Sequence, residues 1–279
     1  MVLESLINPF KAENKPARMF FIGFLYATVA VFLSIWIFKS YSSLVMVFLT
    51  VIVCVPLMYN TLKSEEKKDM VIKQERKLLS EHKKVLFFLM FLFLGFLVAF
   101  SIWYIVLPAD LVEVLFSSQR ETIDAINSRI TGGGISSISV FIQILLNNTK
   151  VMMFCIFFAF FYGAGAIFIL TWNATVISAA VGTFIKNKIA EIGSTAVHHY
   201  FHVFPLGIMR YMIHGVPEIG AYFIGGMAGG IISVAMVNHD LESDKFRNII
   251  FDALNLFFIG MLLLIIGSLI EVYITPVFF

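Results

Sequence analysis

Four of the six histidines lie in one stretch, HHYFHVFPLGIMRYMIHGVPE, and their spacing is the most chemically suggestive feature of the chain. His198 and His202 are four residues apart, so a helix would present both on one face. His214 and Glu218 repeat that spacing, although Gly215 and Pro217 interrupt the intervening turn. Two imidazoles joined by a His/carboxylate pair form a ligand set suited to zinc or another divalent metal, with His198, His202, His214 and Glu218 as the ligands. In that arrangement Glu218 is the candidate catalytic group, because a carboxylate beside a metal can activate water. Plainer roles compete with this one. His199 and His202 suit a headgroup interface, and Glu218 suits the first turn of a helix opening at Pro217, where a carboxylate meets the positive end of the dipole. Arg210 is a natural ion-pair partner for Glu218. Ionisable groups at membrane depth nevertheless mark functional sites by default. The expectation is that His214 and Glu218, with His198 or His202, converge on one polar centre within reach of Asn147, Asn173 and Arg210.

Amides and glycines surround this stretch. Asn147 and Asn148 open an apolar segment that contains Gly163 and Gly165, and Asn173 interrupts it. In the run GGMAGG, Gly225 and Gly229 are four apart, as are Gly226 and Gly230. Small residues at that spacing let helices approach closely in lipid, and tight packing is the main reading of these glycines. No Walker loop, strand-linked glycine fingerprint, H-E-x-x-H or G-x-S-x-G occurs, so nucleotide-driven and serine-hydrolase chemistry have no local support.

The elements that must position these residues are membrane helices. Hydrophobic residues make up 59% of the 279 positions and charged residues only 14%, against about a quarter in soluble domains. Mean hydropathy is +0.91. A net charge of +2 gives no reason to expect a nucleic-acid partner. Cys54 and Cys155 lie inside apolar runs and read as small hydrophobic fillers. The polar first eighteen residues and the absence of a small-x-small exit predict that the first apolar run is a retained anchor.

A spanning helix needs about 20 apolar residues. Uncharged runs of that order separate Arg18 from Lys39, Lys39 from Lys63, Lys84 from Asp110, Lys150 from Lys186, Glu218 from Asp240 and Asp252 from Glu271. The predicted fold class is therefore all-α: a polytopic transmembrane bundle of about six spanning helices plus a broken or re-entrant region. That region follows from the uncharged run Val151–Ile185, which as one helix would reach roughly 52 Å. A break is expected at Thr171-Trp172-Asn173, with residues 174–209 a tilted or partly re-entrant region against the Gly225–Gly230 helix. The loop 63–84 carries eight bases and, with the N-terminus, is expected to face the cytoplasm. Three parts result: a three-helix segment over 1–107, an external amphipathic segment over 108–150 with a Gly132-Gly133-Gly134 hinge, and a C-terminal membrane domain over 151–279. The amphipathic segment would lie at the membrane surface or cap the bundle.

Asn147-Asn148 before an apolar helix, Gly163 and Gly165, Asn173 before small residues, and His214-Gly215-Val216-Pro217-Glu218 ahead of a glycine-bearing helix together resemble the stage II sporulation protein M family. The likeness covers roughly residues 145–235, with Ile213 standing where the family pattern has proline and Pro217 directly preceding the glutamate. The resemblance implies a multi-pass protein of the cell membrane that acts as a scaffold or assembly factor, as the sporulation member gathers cell-wall hydrolases at a septal membrane. Its partners would then be membrane lipids and other membrane or envelope proteins, and self-association into a homo-oligomer is left open. Two other classes compete. One is a channel or transporter whose helices break near Asn173 and Pro217. The other is an intramembrane metal-dependent hydrolase built on the His/Glu cluster. Enzymatic activity is not the leading expectation, and the residues identify no substrate, solute or side for the C-terminus.

Overall fold

The computed structural model describes residues 16–71, 75–130, 137–159, 164–193, 197–238 and 243–278. All regular structure among them is helical. Helix α1 spans Ala17–Phe38 and α2 Ser42–Val71, joined by a 3₁₀ turn at Lys39–Tyr41. Helix α3 spans Glu75–Val106, followed by the short α4 (Ala109–Leu115) and by α5 (Ser117–Ile130). Helices α6 (Ser137–Ala159), α7 (Ala164–Ile192), α8 (Val197–Asn238) and α9 (Asp244–Leu269) complete the bundle. A π-helical turn at Ile270–Ile274 leads into α10, Thr275–Phe278.

Six candidate membrane spans lie among the described residues, the first a 52-residue stretch from Ala17 to Lys68. At about 1.5 Å per residue that stretch is twice too long for one crossing. It turns at Phe38, whose φ of −131° and ψ of 44° leave the helical region. Helix α2 then returns beside α1, and each is long enough to cross alone. Phe21, Leu25, Phe48 and Ile52 face outward from these two helices, as lipid requires. Helix α3 lies at the centre and buries Phe88, Phe93, Phe96 and Phe100 completely. It meets α1 through glycines: a Cβ on Gly23 would strike the Leu92 carbonyl, and one on Gly95 the Phe20 carbonyl. Such backbone-to-backbone approach is how helices associate where lipid tails compete equally for apolar side chains.

Charged residues continue α2 and α3 beyond the apolar part rather than forming a loose loop. Glu65 is fully buried and bonds the His82 Nδ1 at 2.6 Å, while Lys68 pairs with Glu65 at 2.7 Å and with Glu81 at 3.7 Å. These pairs clip the base of the α2/α3 hairpin. At the opposite end, Pro108 stops α3 because the residue before a proline avoids helical geometry. Helices α4 and α5 then fold onto the bundle as a cap. Val112 and Leu115 of α4, and Phe116 directly after it, are buried. Gln119 reaches into the bundle: Ser43 Oγ donates to its Oε1 at 2.8 Å, and its amide nitrogen Nε2 donates to Thr175 Oγ1 at 3.2 Å. The Gly132-Gly133-Gly134 hinge falls outside the described residues.

Three expectations are corrected. Helix α7 runs unbroken through Thr171-Trp172-Asn173, because the Asn173 side chain donates back to the Ile169 carbonyl at 2.8 Å and stays within the helical turn. Within the uncharged run, α6 is described to Ala159 and α7 from Ala164. The terminator of α7 is Gly193, whose φ of +69° is a left-handed C-terminal cap. Residues 174–209 are therefore not re-entrant: 174–192 complete α7, and 197–209 begin α8. Helix α8 carries Pro205 and Pro217 within it and does not break at either.

Candidate functional site

Helices α6, α7 and α8 separate toward the capped end of the bundle and leave between them a cavity of about 1340 Å³. Helix α5 overhangs it, and the π-helical turn closes one flank. Its lining mixes charged, amide and aromatic groups on segments otherwise apolar enough to span a membrane. Helix α6 contributes Asn147, Asn148 and Lys150, α7 contributes Asn173, Thr183 and Lys186, and α8 contributes Arg210, His214, Glu218 and Tyr222.

The deepest part is a hydrogen-bonded chain. Tyr222 Oη donates to Asn148 Oδ1 at 2.8 Å, and Asn148 Nδ2 donates to Glu218 Oε1 at 2.6 Å. The two partners fix the amide orientation, since only its nitrogen can donate to the carboxyl. Asn148 and Tyr222 are buried, so this chain satisfies groups that would be costly to leave unpaired in lipid. Glu218 also lies within hydrogen-bonding reach of the Glu271 carboxyl. Gly267 makes room for it: a Cβ there would stand 2.7 Å from Glu218 Cγ and 3.4 Å from the His214 carbonyl. His214 Nδ1 lies 3.2 Å from Thr275 Oγ1, which itself donates to the Ile270 carbonyl at 3.2 Å across the wide turn. A π-helical turn inserted in an α-helix is frequent at functional sites. Here it carries Glu271 to the cavity wall.

The upper walls are basic and aromatic. Lys186 Nζ stands 5.0 Å from the centre of the Tyr104 ring, and Tyr104 Oη is 2.9 Å from Thr183 Oγ1. The Arg210 guanidinium stands 5.0 Å from the Phe184 ring and 6.0 Å from that of Tyr211. Lys188 and Glu191 pair at 2.7 Å at the rim.

The residues singled out from the sequence are thus distributed as follows. Asn147, Asn148, Asn173, Arg210, His214 and Glu218 all line the cavity, and Asn148 is bonded to Glu218. His198 and His202 do not join them. They stand 16 and 12 residues before His214 on one unbroken helix, about 24 and 18 Å along its axis. Both are exposed, and the His198 ring centre lies 3.9 Å from that of His199, the two rings tilted by 40°. Among the described residues no group of three or more His, Cys, Asp or Glu side chains could hold a metal ion. The four residues expected to form a zinc set, His198, His202, His214 and Glu218, are therefore not brought together at one centre. Arg210 is directed at aromatic rings rather than at Glu218, two turns further along α8. Tyr222, Gly267, Glu271 and Gln119 were not singled out from the sequence. For Glu271 the signal was present, a carboxylate at the end of the last apolar run, but it read as the end of a span.

The family model for stage II sporulation protein M matches residues 84–276. The chain belongs to that family. The match reaches from within α3 to the second residue of α10 and so takes in every element that lines the cavity, well beyond the 145–235 over which the motifs resembled the family. No curated protein and no solved structure matches the chain.

Proposed function

We propose that this member of the stage II sporulation protein M family is a solute-binding membrane protein of the channel or transporter class, with the cavity as its binding chamber. The observation that carries the reading is the Tyr222–Asn148–Glu218 chain at the floor of a large polar cavity between spanning helices. Polar groups at membrane depth are costly and face one another, water or a ligand. A volume of this size exceeds the upper end of the range of about 300–1,000 Å³ usual for small-molecule sites.

The route differs from the broken-helix design expected from the sequence. Continuous helices diverge, and among the described residues lining the cavity the π-helical turn departs from regular α-helical geometry. Below the floor the bundle is shut by glycine contacts, so the conformation is open at one end and sealed at the other, as alternating access requires of one of its states. By the excess of bases in the 63–84 hairpin, the sealed end faces the cytoplasm and the cavity opens outward. The scaffold role implied by the family resemblance rests on that resemblance alone and makes no use of the cavity.

Ala180 lines the cavity, and both native cysteines are buried, so Ala180→Cys provides a single reporter. A membrane-impermeant thiol reagent should label it in intact cells. Labelling only in inverted vesicles would reverse the orientation and leave the chamber standing. No labelling from either side would overturn the chamber.

A further inference from the structure

The charges around the cavity do not balance. Arg120 on α5, Lys186 on α7 and Arg210 on α8 are brought to its lining from three separate helices. None of them takes part in an ion pair among the described residues. Arg120 is close enough to Lys186 for the two to act on one another electrostatically, and Arg210 stands likewise toward His214. Of the four lining carboxyls, Glu191 is neutralised by Lys188, and Asp124 stands one turn from Arg120 on α5. Glu218 and Glu271, within bonding reach of each other, hold at most one charge between them when bonded, so the remaining bases still outnumber the remaining negative charges. Lys150 adds a fourth base from α6. Aromatic faces hold Lys186 and Arg210 in place without cancelling their charge. Like charges brought onto one lining repel one another, and an anion bound between them removes that cost.

We propose that the cavity takes an anionic ligand of the phosphate class, a free phosphorylated solute or the headgroup of an anionic lipid, clasped by Arg120, Lys186 and Arg210. Guanidinium is the side chain best matched to a phosphate because its donors form a planar fork, and Lys186 supplies a point charge opposite it. This rests on the chamber reading above and adds the ligand class to it.

The test uses the purified full chain in nanodiscs. In phosphatidylcholine discs, radiolabelled inorganic phosphate should bind saturably. Arg210→Gln and Lys186→Gln should each weaken binding by about tenfold to a hundredfold. Arg210→Lys should recover part of the loss, and Lys39→Gln, exposed and away from the cavity, should leave binding unchanged. In discs containing phosphatidylglycerol, native mass spectrometry should show retained anionic lipid that the same two variants lose. Phosphate binding identifies a free solute as the source, and lipid retention alone identifies a headgroup. Absence of binding in both arms, or binding indifferent to Arg210→Gln and Lys186→Gln in folded protein, overturns the proposal. If Ala180→Cys is labelled all the same, the chamber survives and only the ligand class is lost.

Discussion

Helix α8 contains two regions with opposite packing, and the contrast between them explains how one helix serves both closure and binding. From Ile219 to Ile231 every residue is buried. Five of these thirteen positions are glycine, and different neighbours use different faces: Gly225 and Gly229 receive Met152 and Ile156 of α6, while Gly226 and Gly230 receive Ala166 of α7 and Leu62 of α2. From His198 to Glu218 exposed and half-buried residues predominate, with bulky and polar side chains that hold the neighbours apart. Small side chains let backbones touch, and large polar ones demand space and partners. The lower region is therefore sealed from several sides, and the upper one bounds a cavity.

The largest effect should come from filling the sealed region. A side chain at Gly229 would collide with the Ile156 backbone, which cannot rotate aside. Gly229→Leu should destabilise by about 1–3 kcal/mol or more, read as a loss of thermal stability in detergent. By contrast, a Cβ at Gly215 in the upper region would meet only Met212 Sδ at 4.0 Å. Gly215→Ala should leave stability unchanged or raise it by up to about 1 kcal/mol through helix propensity. Equal losses in the two variants would erase the distinction between the regions.

A second, intermediate effect is expected at the boundary between them. Asn148→Leu removes both hydrogen bonds of the floor, strands the Tyr222 hydroxyl and leaves the Glu218 carboxyl with Glu271 as its side-chain partner. A loss of about 1–3 kcal/mol is expected, exceeding that of Tyr222→Phe at about 1 kcal/mol. If Tyr222→Phe costs as much as Asn148→Leu, the chain is not organised around the amide. The smallest effect belongs to the exposed histidines. His198→Ala and His202→Ala should each change stability by no more than about 0.5 kcal/mol, and metal analysis should find the same content before and after. A drop in bound metal would restore the ligand role that the helix geometry denies them.

How far the sequence disclosed this arrangement varies with the kind of signal. The helices were legible because lipid imposes length and apolarity directly on composition. Asn148 and Glu218 were legible because an amide and a carboxylate inside apolar runs demand a partner. The break at Asn173 was misread because an asparagine that terminates a helix and one that bonds back to the carbonyl four residues earlier look alike in one dimension. His198 and His202 failed because local spacing shows which residues share a face and says nothing of how far along a 42-residue helix that face lies from another. Glu271 and Gly267 escaped notice because their role depends on the antiparallel pairing of α8 with α9, a relation between positions about fifty residues apart.

The wide turn at Ile270–Ile274 also sets a phase. An α-helix advances about 100° per residue, so the extra residue held in that turn displaces everything after it by about that angle. Without it Thr275 would swing away from His214, and the last turn would present a different side to the cavity. The C-terminal segment thus owes its facing to a single surplus residue, much as a coded ring is read differently when advanced by one notch.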